Sequence, residues 1–257
     1  MTRGVQPGAS HGVPLADLAD LAGLGAYFAV ASHDPASAIA APWLSLDELT
    51  GSVRVLRDRI AAVRSALGAA AGCGPQEVEF RIAASVTLLG IAARLISPPL
   101  GLAVMSGALL RVAPARWQPA LGGAFPLSLP VGSALRPGTG RDDEDALAAR
   151  LREDVVDGPV RAVTEMVAAM SVPAVVLWGN VASAVNGAAS MIATARPGLA
   201  ARAQAVSAAV LRRPPLAGAY AGAPVTGFRR RSCCLIYRVS SASAPAFCGD
   251  CILLGRE

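Results

Sequence analysis

Four cysteines fall in the last 25 residues: Cys233 and Cys234 are adjacent, and after thirteen intervening residues comes Cys248-Gly249-Asp250-Cys251. Four thiolates drawn from two short segments suit either a tetrahedral zinc ion or an iron–sulfur cluster, because both accept ligation by four cysteines. The adjacent pair bears on the choice. Structural zinc usually takes two C-x2-C-like knuckles, whose intervening residues let both sulfurs turn toward one ion. Neighbouring side chains in an extended segment point to opposite sides, so Cys233 and Cys234 would meet a single small ion only with backbone strain. A two-iron cluster is larger and relaxes that constraint.

The surrounding residues carry a resemblance. The stretch Arg230-Arg231-Ser232-Cys233-Cys234-Leu235-Ile236-Tyr237-Arg238, closed by Cys248-Gly249-Asp250-Cys251, resembles the C-terminal signature of the ferric-siderophore reductase (FhuF-like) family. Leu177-Trp178-Gly179-Asn180, followed by Ala182-Ser183-Ala184, is similar to that family's Trp-Gly-Asn segment. The resemblance implies a 2Fe-2S cluster on Cys233, Cys234, Cys248 and Cys251, and an oxidoreductase that reduces an Fe(III)-siderophore to release Fe(II) by one-electron transfer. It covers the C-terminal third; residues 1 to 165 match only in general layout. Ser240-Ser241-Ala242-Ser243-Ala244-Pro245 makes the gap between the cysteine pairs longer than is usual in that family. Loop-closure entropy grows slowly with length, so the ligands should still meet.

Charge placement agrees with an anionic centre near the C-terminus. All 23 basic residues are arginine. Residues 196–257 hold nine arginines against Asp250 and Glu257, a net +7, whereas the preceding 195 residues carry a net −2. A 2Fe-2S centre with four thiolates is itself anionic, so nearby guanidinium groups favour its assembly and raise its potential. Arg229, Arg230, Arg231 and Arg238 are therefore the candidates to attract an anionic chelate, or alternatively to dock an acidic electron donor. No helix-turn-helix signature, aromatic-rich strand face or long basic run accompanies them, which argues against nucleic-acid binding.

Composition bounds the remainder. A chain of 257 residues, 53% of them hydrophobic, can bury a core without disulfide staples. Clustered cysteines and the lack of an N-terminal apolar leader predict a cytoplasmic setting, where such cysteines bind metal rather than pair. Cys73, between Gly72 and Gly74, reads as a small filler rather than a fifth ligand. His11 and His33 stand in no ligand or triad context. Gly23-Leu24-Gly25 and Gly138-Thr139-Gly140 lack the third glycine of a dinucleotide fingerprint, and no P-loop is present. Electrons must then come from an external donor, a ferredoxin or a reductase. No acid, base or nucleophile is expected to act catalytically.

The elements that must hold this site read as mainly helical with a small antiparallel sheet (α+β): a start without structure over 1–13, a helical domain over 14–225 and a cluster-binding module over 226–257. Apolar spacing predicts helices over 14–31, from a Ser45/Glu48 capping box to Gly72, and from Pro75 to Leu95, stopped by Ser97-Pro98-Pro99. Residues 109–130 read as a strand pair around Gly122-Gly123, and Asp142-Asp143-Glu144-Asp145 as the N-terminus of another helix, kinked at Pro159. No charge appears from Met166 to Ala195, long enough to cross a bilayer. Its alanine, serine, glycine, asparagine and Pro173 favour two buried elements broken near Gly179, with no transmembrane segment and only peripheral membrane contact left open. A strand is expected over Cys234–Val239. Two other readings stay open: a zinc- or iron–sulfur-binding module that recognises a partner or siderophore, and a redox sensor.

Overall fold

In the computed structural model, residues 15–135, 143–239 and 247–254 are described. The expected unstructured start, His11, Gly138-Thr139-Gly140, Asp142 and the Ser240–Pro245 insertion lie outside them. The architecture is mainly helical, as the periodicity predicts, and it is built around one long helix.

Three short N-terminal elements come first: helix α1 (Leu15–Asp20), a 3-10 turn over Leu21–Leu24, and strand β1 (Ala31–His33). Strand β2 (Leu44–Ser45) then feeds α2 (Leu46–Gly51) and α3 (Val53–Ala71). The capping box forms as expected: the Ser45 hydroxyl accepts from Glu48 N–H, and the Glu48 carboxylate accepts from Ser45 N–H. A break at Ser52 splits the expected helix in two, and Ser52 caps the second half through Val55 N–H. Gly72, left-handed at φ 70°, ends it.

Helix α4 (Phe80–Ser106) corrects the expectation that Pro98-Pro99 stops the third helix. Pro75 opens only a 3-10 turn, and α4 starts later and runs straight through both prolines. Each proline removes a backbone donor, at a cost of about 3 kcal/mol in a helix interior. Burial on every side offsets that cost. Leu88, Leu95, Leu100, Leu102 and Val104 are at most 1% exposed, and each such side chain contributes roughly 1.5–3 kcal/mol. Ser97 Oγ donates back to Ala93 O at 2.7 Å, satisfying one carbonyl in this stretch.

After strands β3 (Leu109–Leu110), β4 (Arg116–Trp117), β5 (Leu127–Pro130) and β6 (Ala134–Leu135), helix α5 (Glu144–Leu151) begins on an Asp143 cap to Ala146 N–H. It passes through a wide π-type stretch, Arg152–Val160, distorted at Gly158 beside Pro159, into α6 (Arg161–Ala168). Then come α7 (Ala174–Ala195) and α8 (Ala200–Leu211). The expected break near Gly179 is absent. The chain turns at Ser171, with φ 65°, and Val172-Pro173, and α7 passes unbroken through Gly179. Pro173 sits where its missing N–H costs nothing, just before the helix. Packing of α4 on α7 and of α7 on α8 forms the main core, with Leu177, Val181, Ile192, Val206 and Leu211 fully buried.

The small sheet exists, with different partners from those expected. Its order is β1-β5-β4-β2; β4 is antiparallel to β2 and to β5, whereas β1 runs parallel to β5. Strands β3 and β6 pair separately. Arg94 of α4 is buried against this layer and donates to the carbonyls of Phe125, Tyr27 and Ala29; burial lowers its pKa to about 10. Helices α4 and α7 are long and apolar enough to cross a membrane, but 78% and 61% of their most apolar windows are buried inside the protein.

Candidate metal centre

The C-terminal segment enters through a hairpin, β7 (Tyr220–Ala221) against β8 (Arg229–Arg230), in antiparallel register Tyr220↔Arg230. Arg230 N–H donates to Asp250 O at 3.0 Å, which holds the second cysteine turn beside β8. That turn is closed by Cys251 N–H on Cys248 O at 3.0 Å. After β8 the chain does not form the strand expected over Cys234–Val239. Leu235 adopts φ 71° and leads into a 3-10 turn, Ile236–Arg238. The reason is local bonding: Leu235 N–H donates to Cys233 Sγ at 3.3 Å, and Ile236 N–H bonds the Cys234 sulfur. These donors serve sulfur rather than a strand partner. Leu253 N–H does the same for Cys251 Sγ at 3.4 Å.

The sulfurs gather crosswise, one from each segment. Cys234 Sγ and Cys248 Sγ are 3.8 Å apart. Two thiolates on one tetrahedral ion, with metal–sulfur bonds of about 2.3 Å, lie about 3.8 Å from each other. Cys233 is the neighbour of Cys251, within hydrogen-bonding reach. Among the described residues, no set of three or more His, Cys, Asp or Glu side chains converges on a single-ion site. The sulfurs thus approach one another across the two segments without closing on one ion. Cys234 and Cys251 are 1% exposed, while Cys233 and Cys248 are half-buried.

Proton affinities follow the pairing. The hydrogen bond shared with Cys248, aided by the Arg230 charge, outweighs burial and lowers the Cys234 pKa to about 5. The same shared bond, with burial, pushes the Cys248 thiol well up. Burial, then the neighbouring Cys234 and Cys251 sulfurs, raises Cys233. Metal binding displaces such protons, because thiolates are the ligands.

The four candidate arginines have different surroundings. Arg230 alone lies against the sulfurs, 1% exposed: its guanidinium donates to Cys248 Sγ, pairs with Asp250 Oδ1 at 3.1 Å and donates to Asn180 Oδ1 at 2.8 Å. Burial works to lower its pKa, but Asp250, Cys234 and Cys248 outweigh it and raise it. Arg229 donates to Leu254 O at 2.8 Å and Cys251 O, bracing the second cysteine turn from outside. Arg231 is exposed, and Arg238 pairs with Glu79 at 2.8 Å, just ahead of α4.

Asn180 is fully buried inside α7, with its amide nitrogen donating to Ser85 O and Oγ, both at 2.9 Å. Ser85 Oγ donates in turn to Cys234 O at 2.9 Å. Helices α4 and α7 therefore grip the first cysteine segment through one continuous polar network. Gly179 completes the fit: a β-carbon there would sit 2.2 Å from Ser232 Oγ, which donates to Val175 O at 2.9 Å. Trp178 is only half-buried, with the Arg161 guanidinium 5.3 Å from its ring centroid. Ser85 and Glu79 carried no signal in the sequence, being far along the chain from Cys234 and Arg238; Asp250, between two cysteines, did. Cys73 stays outside this network as expected, its N–H on Gly68 O after α3.

The residues fit a 2Fe-2S cluster on two observations. One is the paired sulfurs. The other is Arg230 Nε, a buried donor beside them without a hydrogen-bond partner among the described residues, a defect worth about 1–3 kcal/mol that an anionic, sulfur-bearing group could relieve. No family model and no curated protein matches this chain.

Proposed function

We propose that this protein is an iron–sulfur oxidoreductase that reduces Fe(III)-siderophore and so releases Fe(II), with a 2Fe-2S cluster held by Cys233, Cys234, Cys248 and Cys251. The observation that carries the reading is the crosswise gathering of four sulfurs over a buried, partly unsatisfied arginine. When bound, such a cluster supplies one electron at a time and offers substrate no open coordination position. The substrate's Fe(III) gains that electron and becomes Fe(II), which hard oxygen donors hold far less firmly; an external ferredoxin or reductase restores the electron. Reduction is release, so no side chain has to break the chelate.

The chain's own residues set the conditions. Arg230 offsets the negative charge of four thiolates in a place that excludes water, where electrostatic compensation is strong. The N–H groups of Leu235, Ile236 and Leu253 add donors to sulfur, which favour the more negative, reduced state. Asn180 and Ser85 fix the first cysteine pair to two core helices, limiting the rearrangement that accompanies a change of charge.

Freshly isolated protein is expected to be reddish brown, with visible bands that bleach on dithionite and a rhombic EPR signal appearing on reduction. Turnover of a ferric siderophore with an Fe(II) trap completes the test. A colourless protein with one zinc per chain would overturn the reading in favour of a structural module. A coloured protein without turnover would favour a sensor.

A further inference from the structure

A cleft of about 480 Å³ opens between the outer face of α7 and the turn of the β7–β8 hairpin. Ser183, Asn186, Gly187 and Ser190 form one wall, and Arg229, Gly249 and Asp250 belong to the other. Gly249 and Asp250 are the two residues between Cys248 and Cys251, so the cleft shares a wall with the candidate metal centre.

Its lining is largely polar, and two of its hydroxyls are uncommitted. The half-buried Ser183 and Ser190 hydroxyls make no hydrogen bond within the protein among the described residues. Asn186 holds the hairpin turn in place, its Oδ1 accepting from Val225 N–H at 2.7 Å. Val225 has φ 69°, an unusual conformation for a β-branched residue, so that bond fixes a strained cleft wall. Asp250 is already neutralised by Arg230, which leaves Arg229 as the charge at the rim.

Gly187 supplies an independent observation. It lies inside α7, where glycine weakens a helix relative to alanine. Yet a β-carbon there would meet nothing within 4 Å, and the residue is exposed. Packing does not require this glycine, in contrast to Gly179 eight positions earlier. Its effect is to keep the floor of the cleft open.

The geometry points to this cleft as the docking site for an oxygen-rich metal chelate, received on serine hydroxyls and the Asn186 amide and steered by Arg229. This inference rests on the reductase reading for the identity of the metal, Fe(III), but not for the existence of the site. A chelate held there contacts the Cys248–Cys251 turn directly, and the one electron it gains is supplied by the external donor class named above.

Gallium(III) complexes of a linear trihydroxamate and of a tricatecholate are the probes, because Ga(III) matches Fe(III) in charge and size and is not reduced. They are titrated calorimetrically into the full-length wild-type protein and into Gly187→Phe and Ser183→Leu variants. At least one probe should bind the wild type, and each variant should weaken that binding tenfold or more. The melting temperature of Gly187→Phe should be no lower than that of wild type, and its EPR signal unchanged. Binding of neither probe, or equal binding to wild type and Gly187→Phe, would overturn the assignment of the cleft. Loss of the reductase reading shows instead in the wild type, as gallium chelate binding without reduction of the ferric chelate.

Discussion

Arg230 and Arg231 are chain neighbours with opposite surroundings, and under the proposed function the difference separates a charge that should tune the cluster from one that should not. Arg230 is buried on Cys248, Asp250 and Asn180, whereas Arg231 faces solvent. A buried cation stabilises the more negative, reduced state of a neighbouring centre, while an exposed one is screened within about 8–10 Å. Arg230→Gln should therefore lower the midpoint potential, on the order of 50 mV, since a tenfold change in a one-electron equilibrium is about 59 mV. Arg231→Gln should leave it nearly unchanged, and Arg230→Lys, which keeps the charge, should lie close to wild type. Protein-film voltammetry of the three variants reads this directly. Equal shifts in the two glutamine variants would mean that the centre feels the general basicity of the segment rather than Arg230.

At the scale of elements, the site depends on a glycine and a serine meeting across two segments. Gly179 lets the chain before the cysteine pair lie against α7, and its missing β-carbon makes room for Ser232 Oγ. Gly179→Ala should place a methyl group 2.2 Å from that oxygen and displace the first cysteine segment, lowering cluster occupancy. Adding Ser232→Ala removes the clashing atom and leaves the Ser232 β-carbon at an ordinary 3.5 Å. The double variant should then regain iron and EPR intensity over the single one, short of wild type by the lost Ser232–Val175 hydrogen bond, about 1 kcal/mol. No gain in iron per chain from the second substitution would refute close approach as the role of Gly179. These elements also mark where the sequence was legible. The Ser45 capping box, the Asp143 cap and the helical class follow from local spacing, because each is decided within a few residues. Helix α4 running through Pro98-Pro99 does not, since burial by distant segments outweighs a local penalty. Nor does the end of the expected strand at Leu235, where sulfur takes the backbone donors. Asn180 could be noticed in its motif, but its role depends on Ser85 and Arg230, 95 and 50 positions away.

For the whole molecule, the question is whether the helical body needs the proposed metal centre. The main core, on α4, α7 and α8, is built from fully buried side chains such as Leu88, Leu95, Leu177, Val181 and Val206, each contributing roughly 1.5–3 kcal/mol. The cysteine segment is attached mainly by polar side-chain bonds: Ser85 to Cys234, Asn180 to Arg230, Ser232 to Val175 and Arg238 to Glu79. Ordinary hydrogen bonds of this kind contribute about 0.5–1.5 kcal/mol each, and the half-exposed Arg238–Glu79 pair less still. The core outweighs the attachment, so the body should survive loss of the centre while the segment loosens. Replacing Cys233, Cys234, Cys248 and Cys251 together with Ser is expected to preserve the far-UV circular dichroism of the helices. Hydrogen exchange should quicken over 229–239 and 247–254, with α4 and α8 still protected. The asymmetry has a physical source in Asn180 and Ser85, which can satisfy each other across α4 and α7 after the segment departs. Collapse of the helical signal in that variant would mean that the metal centre is part of the folding core, and that the polar network transmits its stability into the bundle.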